Sequence, residues 1–224
     1  MAYDSAEHHP AFEEYTETIF ELVEDHIPVI QARIAERLEV SRPAVSEMIR
    51  RMEADGLVVI NDGGLISLTT SGSSLATTIV RRHRLAERFL TDILGLNWTE
   101  AHHEAGRWEH IISPNVEDAM HALLKEPTTC PHGNPIPGSD YVEPVGATVL
   151  ATIAAGDEFT VIRIPEELEF EPGQLAFLES SGLMPGRSGT MLSVAPDGTA
   201  TVSVDGTPVG LGSSTVQRIV VTAA

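Results

Sequence analysis

Apolar residues recur at three- and four-residue steps through residues 12–26, where Phe12, Tyr15, Ile19, Leu22 and Val23 form one stripe. That period predicts an amphipathic helix. Beside the stripe run acidic positions, Glu14, Glu17, Glu21 and Glu24. A second helical stretch at 29–39 (Ile30, Ile34, Ala35, Leu38) is followed by a short break and then by 42–52 (Val45, Ile49, Met52). Ser41 is suited to cap that third helix, and Pro43 sits in its first turn, where a missing N–H costs nothing. Two short helices around a tight break predict a helix-turn-helix, with the second as recognition helix. The helical period then stops. Residues 57–60 and 65–69 are apolar runs around Asn61-Asp-Gly-Gly64, which predicts a hairpin. Helix-turn-helix plus hairpin is a winged helix.

After a serine- and threonine-rich joint at 69–74, helical patterning returns at 75–94, 99–112 and 116–124, with Ser113-Pro114 stopping the middle one. Three helices with short connections suggest a helical dimerisation unit. Cys130-Pro-His-Gly-Asn-Pro-Ile-Pro-Gly138 predicts an irregular, rigid loop, and 139–145 a linker. From Gly146 onward five short strands (148–153, 158–164, 190–194, 199–204, 217–221) and one helix at 172–181 are expected. The turns Pro196-Asp-Gly198 and Asp205-Gly206 separate some of them. Such a set in about 75 residues suggests a small, partly open barrel of the SH3 type. The chain therefore divides as 1–74, 75–140 and 141–224. Its class is α+β multidomain: an N-terminal winged helix-turn-helix, a helical dimerisation domain and a C-terminal SH3-like barrel.

Composition bounds this picture. No apolar run approaches about 18 residues, so a membrane span is not expected. The polar, acidic start, Met1-Ala-Tyr-Asp-Ser-Ala-Glu7, is unlike a secretion signal, and the expected location is cytoplasmic. A single cysteine, Cys130, excludes an intramolecular disulfide and a cysteine-cluster zinc site. The net charge of −19 is unlike the basic footprint of most DNA binders. Lys125 is the only lysine; acid excess with lysine nearly absent fits adaptation to a high-salt cytoplasm. Net charge governs solubility and association rather than fold, so it does not decide against DNA.

The candidate chemistry sits in Ala101-His-His-Glu-Ala-Gly-Arg-Trp-Glu-His110. On a helix, residues seven apart return to within about 20° of each other, pairing His102 with Glu109 and His103 with His110. Converging imidazoles and carboxylates suit a divalent metal; a solvated helix face in an acid-rich chain accounts for them equally well. His83 and Glu87, four apart, share a face. Taken alone, that pair reads as a surface hydrogen bond, and Cys130 with His132 as parts of a structural loop.

Four segments, Ala32-Arg-Ile-Ala-Glu-Arg-Leu38, Arg81-Arg-His-Arg-Leu-Ala-Glu87, Arg107-Trp-Glu-His110 and Gly133-Asn-Pro-Ile-Pro-Gly138, together with the order of the three parts, resemble the diphtheria-toxin-repressor family of metal-dependent repressors. The resemblance covers essentially the whole chain. It implies an FeoA-type barrel and two metal sites. The ancillary site would be His83, Glu87, His102, Glu171 and Gln174, with His102 preferred over His103 because the family gives the latter no role. The primary site would be Glu14, Glu17, Gly106, Glu109 and His110. Iron-type members place Met and Cys where Glu14 and Gly106 stand. Manganese-type members place carboxylates three apart on the first helix, as Glu14 and Glu17 are, and a Glu where Gly106 stands. Gly106 fits neither pattern. An oxygen-rich set with one imidazole and no sulfur suits Mn²⁺ better than Fe²⁺.

The resemblance implies a repressor of metal-uptake genes. It would act as a homodimer on a palindromic operator, presenting two recognition helices about one DNA turn apart. Arg33, Ser41, Arg42, Pro43, Ala44, Ser46, Glu47, Arg50 and Arg51 are the expected DNA-facing residues. Ser46 and Glu47 would face base edges, and Arg42, Arg50 and Arg51 would meet phosphate. Two rivals are a metal-dependent hydrolase and a DNA-binding protein whose primary site has decayed at Gly106. The hydrolase is disfavoured because HExxH is absent and no open catalytic position is marked.

Overall fold

The computed structural model describes residues 10–223; the acidic start at residues 1–7 lies outside them. The described chain packs as two compact units, one of residues up to His83 with Arg107–Ile112, the other of Arg84–Gly106 with the residues from Ser113 onward.

In the first unit α1 (Pro10–Glu24), α2 (Gln31–Arg37) and α3 (Arg42–Ala54) precede the hairpin β1 (Val58–Ile60) and β2 (Ile66–Leu68). Phe12, Tyr15, Ile19, Leu22, Ile34, Val45, Ile49 and Met52 form one buried core with the hairpin's Val58 and Ile66. The expected stripe on α1 holds except at Val23, which is exposed one residue before the helix ends, while Glu21 and Leu22 beside it are buried. The break between α2 and α3 places Glu39 at φ 53°, a left-handed turn residue. Ser41 then caps α3 by accepting a hydrogen bond from Ala44 N at 3.3 Å. β1 and β2 pair antiparallel, Val58 opposite Leu68. Asn61 Oδ1 closes their turn by accepting from Gly63 N and Leu65 N.

Helix α4 (Thr70–Asp92) begins five residues before the pattern suggested. The serine- and threonine-rich stretch is its first turn rather than a joint. Thr69 Oγ1 accepts from Gly72 N at 3.1 Å and donates to Gly56 O at 2.6 Å, so the hydroxyls that look like a linker act as a cap. A Cβ at Gly72 would lie 2.0 Å from Leu57 O; only glycine admits so close an approach.

In the second unit, α5 (Trp98–Trp108, to Gly106) and α6 (Pro114–Leu123) are followed by β3 (Ala147–Val149), β4 (Glu158–Arg163), α7 (Glu166–Glu169), α8 (Gln174–Ser180), β5 (Ser188–Val194), β6 (Ala200–Val204), β7 (Thr207–Leu211), α9 (Ser213–Val216) and β8 (Val220–Ala223). The six strands form one antiparallel sheet, β3-β8-β4-β5-β6-β7. Irregularities in register, between Val161 and Arg163 and between Met191 and Ser193, bend it around Phe159, Val161, Leu168, Leu178, Met191, Val202 and Val221. The pattern gave five strands. The sixth, β7, escaped because Pro208 and Gly210 weaken a strand reading; it is an edge strand, where proline costs no ladder bond. The short α7 also went unread, being a single turn.

Candidate metal centres

The first unit gathers acids and imidazoles on one face of α1. Glu13, Glu17 and Glu21, four residues apart, are all buried, while Glu14 keeps its side chain 53 % exposed. Against them lie His83 and the segment carrying Glu109 and His110. His83 Nδ1 is 2.5 Å from Glu109 Oε2 and 3.9 Å from Glu17 Oε1. His110 Nδ1 is 2.7 Å from Glu13 Oε2, and its Nε2 is 3.3 Å from Glu109 Oε1 and 4.0 Å from Glu14 Oε1. Glu17, His83 and Glu109 can each direct a ligand atom to one point, all within 4.8 Å of one another. Burial, then the charges of Glu109 and Glu21, push the Glu17 carboxyl well above the usual range. Its Oε1 is buried with no hydrogen-bond partner among the described residues. A buried, mutually repelling set with an unsatisfied oxygen is what a divalent cation would complete.

Of the primary set expected from sequence, Glu17, Glu109 and His110 come together, and Glu14 stands at the edge. Two groups were not expected here. Glu13, rather than Glu14, makes the short hydrogen bond to His110, since Glu13 points along the buried stripe and Glu14 away from it. His83, expected in the ancillary set, reaches Glu17 and Glu109. Gly106 offers no side chain, and a Cβ there would meet nothing within 4 Å.

The second unit holds a second buried cluster. His102 Nδ1 lies 3.1 Å from Glu87 Oε1 and 3.2 Å from Glu169 Oε2. His132 Nδ1 lies 2.8 Å from Glu169 Oε2 and 3.5 Å from Glu87 Oε1. Glu87, Cys130 and His132 can bring ligand atoms within 4.8 Å of each other, as can His102, Glu166 and Glu169. Arg84 is fully buried and donates to Glu166 Oε1 at 3.2 and 3.0 Å. Burial works against a charged His102, but its hydrogen bonds to Glu169 and Glu87 outweigh that and carry it up to about 10. Glu169 is likewise penalised by burial, yet His132 and His102 hold it down to about 2. Burial and nearby carboxylates raise the Cys130 thiol.

Two departures from the sequence reading stand out. Glu171 and Gln174 are not the residues that meet His102. Gln174 Nε2 donates to Thr215 Oγ1 at 3.2 Å, Glu171 joins no such cluster among the described residues, and the single turn of α7 turns Glu169 inward in their place. The loop at 130–138 is irregular, as its composition suggests, and is tied by hydrogen bonds from Cys130 N to Asn134 O and from Ile136 N to Thr128 O; it also delivers Cys130 and His132. Ile164 N donates to His132 O at 2.8 Å, and Asn134 Nδ2 to Ile164 O and Glu169 Oε1. At Gly133, φ is +89° and a Cβ would lie 2.2 Å from Ile162 O. The Cys-x-His spacing was the available signal; that it is buried beside Glu87 was not.

On α3, Arg42, Pro43, Ala44, Glu47, Arg50 and Arg51 are exposed, as are Ser41 before it and Arg33 on α2, while Ser46 is half-buried. Arg33 pairs with Glu36 at 2.9 Å, Arg50 Nε donates to Ser46 O, and Arg51 lies over the Phe12 ring.

No helix among the described residues is long and apolar enough to cross a membrane. Residues 9–64 match the N-terminal DNA-binding domain of iron-dependent repressors, 69–138 their metal-binding and dimerisation domain, and 148–223 the FeoA domain. The chain is 40 % identical over 208 residues to the diphtheria toxin repressor of Corynebacterium diphtheriae, covering 89 % of this chain and 91 % of that one. It is 37 % identical over 204 residues to the iron-dependent repressor IdeR of Mycobacterium bovis, covering 87 % and 88 %. A solved manganese-dependent transcriptional repressor in complex with manganese superposes with a TM-score of 0.83 at 36 % identity, covering 95 % of this chain and all of that one. These relatives are repressors and not enzymes, which removes the hydrolase reading. The chain belongs to the diphtheria-toxin-repressor family of metal-dependent transcriptional repressors.

Proposed function

We propose that this protein senses Mn²⁺, with Fe²⁺ as the alternative, and represses metal-uptake genes as a cytoplasmic homodimer on a palindromic operator. The division 1–74, 75–140 and 141–224 assigns DNA binding, metal-dependent dimerisation and an FeoA-type barrel in turn. The observation that carries the reading is the group of buried Glu17, His83 and Glu109 with half-buried His110, and Glu13 and Glu14 beside it. It holds only oxygen and imidazole donors, which favours Mn²⁺. A bound divalent cation supplies the positive charge that offsets the repulsion of these carboxylates. Glu17, as its carboxylate, would hold the ion together with Glu109 and His110, which would keep their segment against α1. Because α1 carries the winged-helix core, this order biases the recognition helix towards one setting, a population shift driven by differential affinity.

Glu87, His102, Cys130, His132 and Glu169 offer a second site, with Glu169 in place of Glu171 and Gln174. Cys130 gives it a soft donor that the first lacks, so the second site accepts more thiophilic ions. Arg42, Arg50 and Arg51 would meet phosphate, Ser46 and Glu47 base edges, and Arg33, Ser41, Pro43 and Ala44 the rest of the DNA surface.

The test counts bound metal per chain and measures operator affinity with Mn²⁺, with Fe²⁺ and with chelator. Tight binding only in the presence of metal supports the reading. Equal binding with chelator would favour a protein whose metal control is lost at Gly106.

A further inference from the structure

The acidic stripe of α1 continues one turn past the metal cluster. Glu21 lies four residues beyond Glu17 on the same face and is also buried. Its partner comes from the helix-turn-helix. Arg37, the last residue of α2, places Nη1 at 3.4 Å from Glu21 Oε2, and both side chains are nearly inaccessible, at 6 % and 5 %. Arg37 directly precedes the break that aims α3: Leu38 closes α2 by donating to Ile34 O, Glu39 takes the left-handed turn, and Ser41 caps the next helix. Ile34, on the same helix, is fully buried in the core shared with α1.

We propose that Glu21 and Arg37 are the positioning pair through which the metal cluster sets the helix-turn-helix. This rests on the metal-sensing reading above. Glu17 and Glu21 are both fixed to the rigid α1, so whatever holds Glu17 in one place also holds Glu21. Glu21 fixes the C-terminal end of α2 through Arg37, and with it the turn into α3. A buried ion pair is seldom worth more to stability than a well-packed apolar pair, because desolvation offsets the attraction. What it adds is a unique relative setting of the two helices, and that setting is what metal control needs.

The test uses the full-length protein and a palindromic duplex selected from random DNA by the wild type with Mn²⁺. The double variant Glu21→Leu/Arg37→Met removes both charges together, and Glu21→Gln keeps shape while removing one. For each protein, melting temperature, Mn²⁺ bound per chain, and operator affinity with saturating Mn²⁺ and with chelator are measured. The ratio of the two affinities is the coupling between metal and DNA. The expected result is a ratio reduced about tenfold or more in both variants, with Mn²⁺ per chain and chelator-state affinity unchanged. A merely structural role would lower both affinities alike and leave the ratio intact. A wild-type ratio in either folded variant overturns the pair's role. A wild type whose ratio is one overturns the metal-sensing reading itself and the pair with it.

Discussion

His102 and Glu169 show what close ionic partners do to a buried residue, since both shift against the effect of burial. In the metal-free protein His102 titrates near 10 instead of 6.5. A folded pKa above the unfolded one means stability that is full below the unfolded value and is lost as pH climbs through the folded one. With chelator present, the melting temperature should therefore fall as pH rises from about 6.5 to about 10. Metal binding runs the other way. Glu17, His102, His110 and Cys130 are all raised, by burial for Glu17 and Cys130 and by carboxylate hydrogen bonds for the two histidines. A cation needs them deprotonated, so Mn²⁺ uptake should release protons and tighten as pH rises. Calorimetry in buffers of different ionisation enthalpy reads the number released; none would sink the assignment. Glu17→Ala or His110→Ala should abolish metal-dependent operator binding while circular dichroism stays native, and a retained Mn²⁺-dependent gel shift would refute the primary site. Cys130→Ser should lower affinity for a thiophilic ion such as Zn²⁺ more than for Mn²⁺, which competition between the two ions would detect.

At the scale of elements, the sequence was most legible where one period runs long. The stripes of α1 and α3 and the alternation of β4 and β6 follow directly from core-facing positions. It was least legible where a contact distant in sequence sets the boundary. Thr69 and Gly72 look like a joint but cap α4, and the space at Gly72 is set by Leu57 O. Gly72→Ala should destabilise the fold by about 1–3 kcal/mol or more, read as a lowered urea midpoint; an unchanged midpoint would mean α4 shifts freely. Gly133→Ala meets Ile162 O and a positive φ together. It should displace the loop and reduce metal at the Cys130–His132 cluster, with the Glu17 cluster still filled, as metal analysis per chain would show.

For the whole molecule, charge matters most. With a net charge of −19 and few basic residues, this repressor has few cations to set against phosphate. Affinity for DNA falls with salt roughly in proportion to the phosphates neutralised. Operator binding should thus depend only weakly on salt and persist in roughly molar KCl. A log–log slope as steep as a basic repressor's would argue against salt adaptation. The sequence by itself determined the three-part order, the winged helix, the barrel class, the family and the residue types for metal, because these depend on local periodicity and on contiguous motifs. Tertiary structure decided which donors meet. Glu13 rather than Glu14 bonds His110, His83 reaches Glu109, and Glu169 rather than Glu171 faces His102. Neighbouring helical residues stand about 100° apart whatever the packing; packing decides which of those faces turns inward. It also decided that Cys130 and His132, bland in a proline-rich loop, are buried beside Glu87. Desolvation there makes them costly unless paired, and that cost is invisible until the loop is docked.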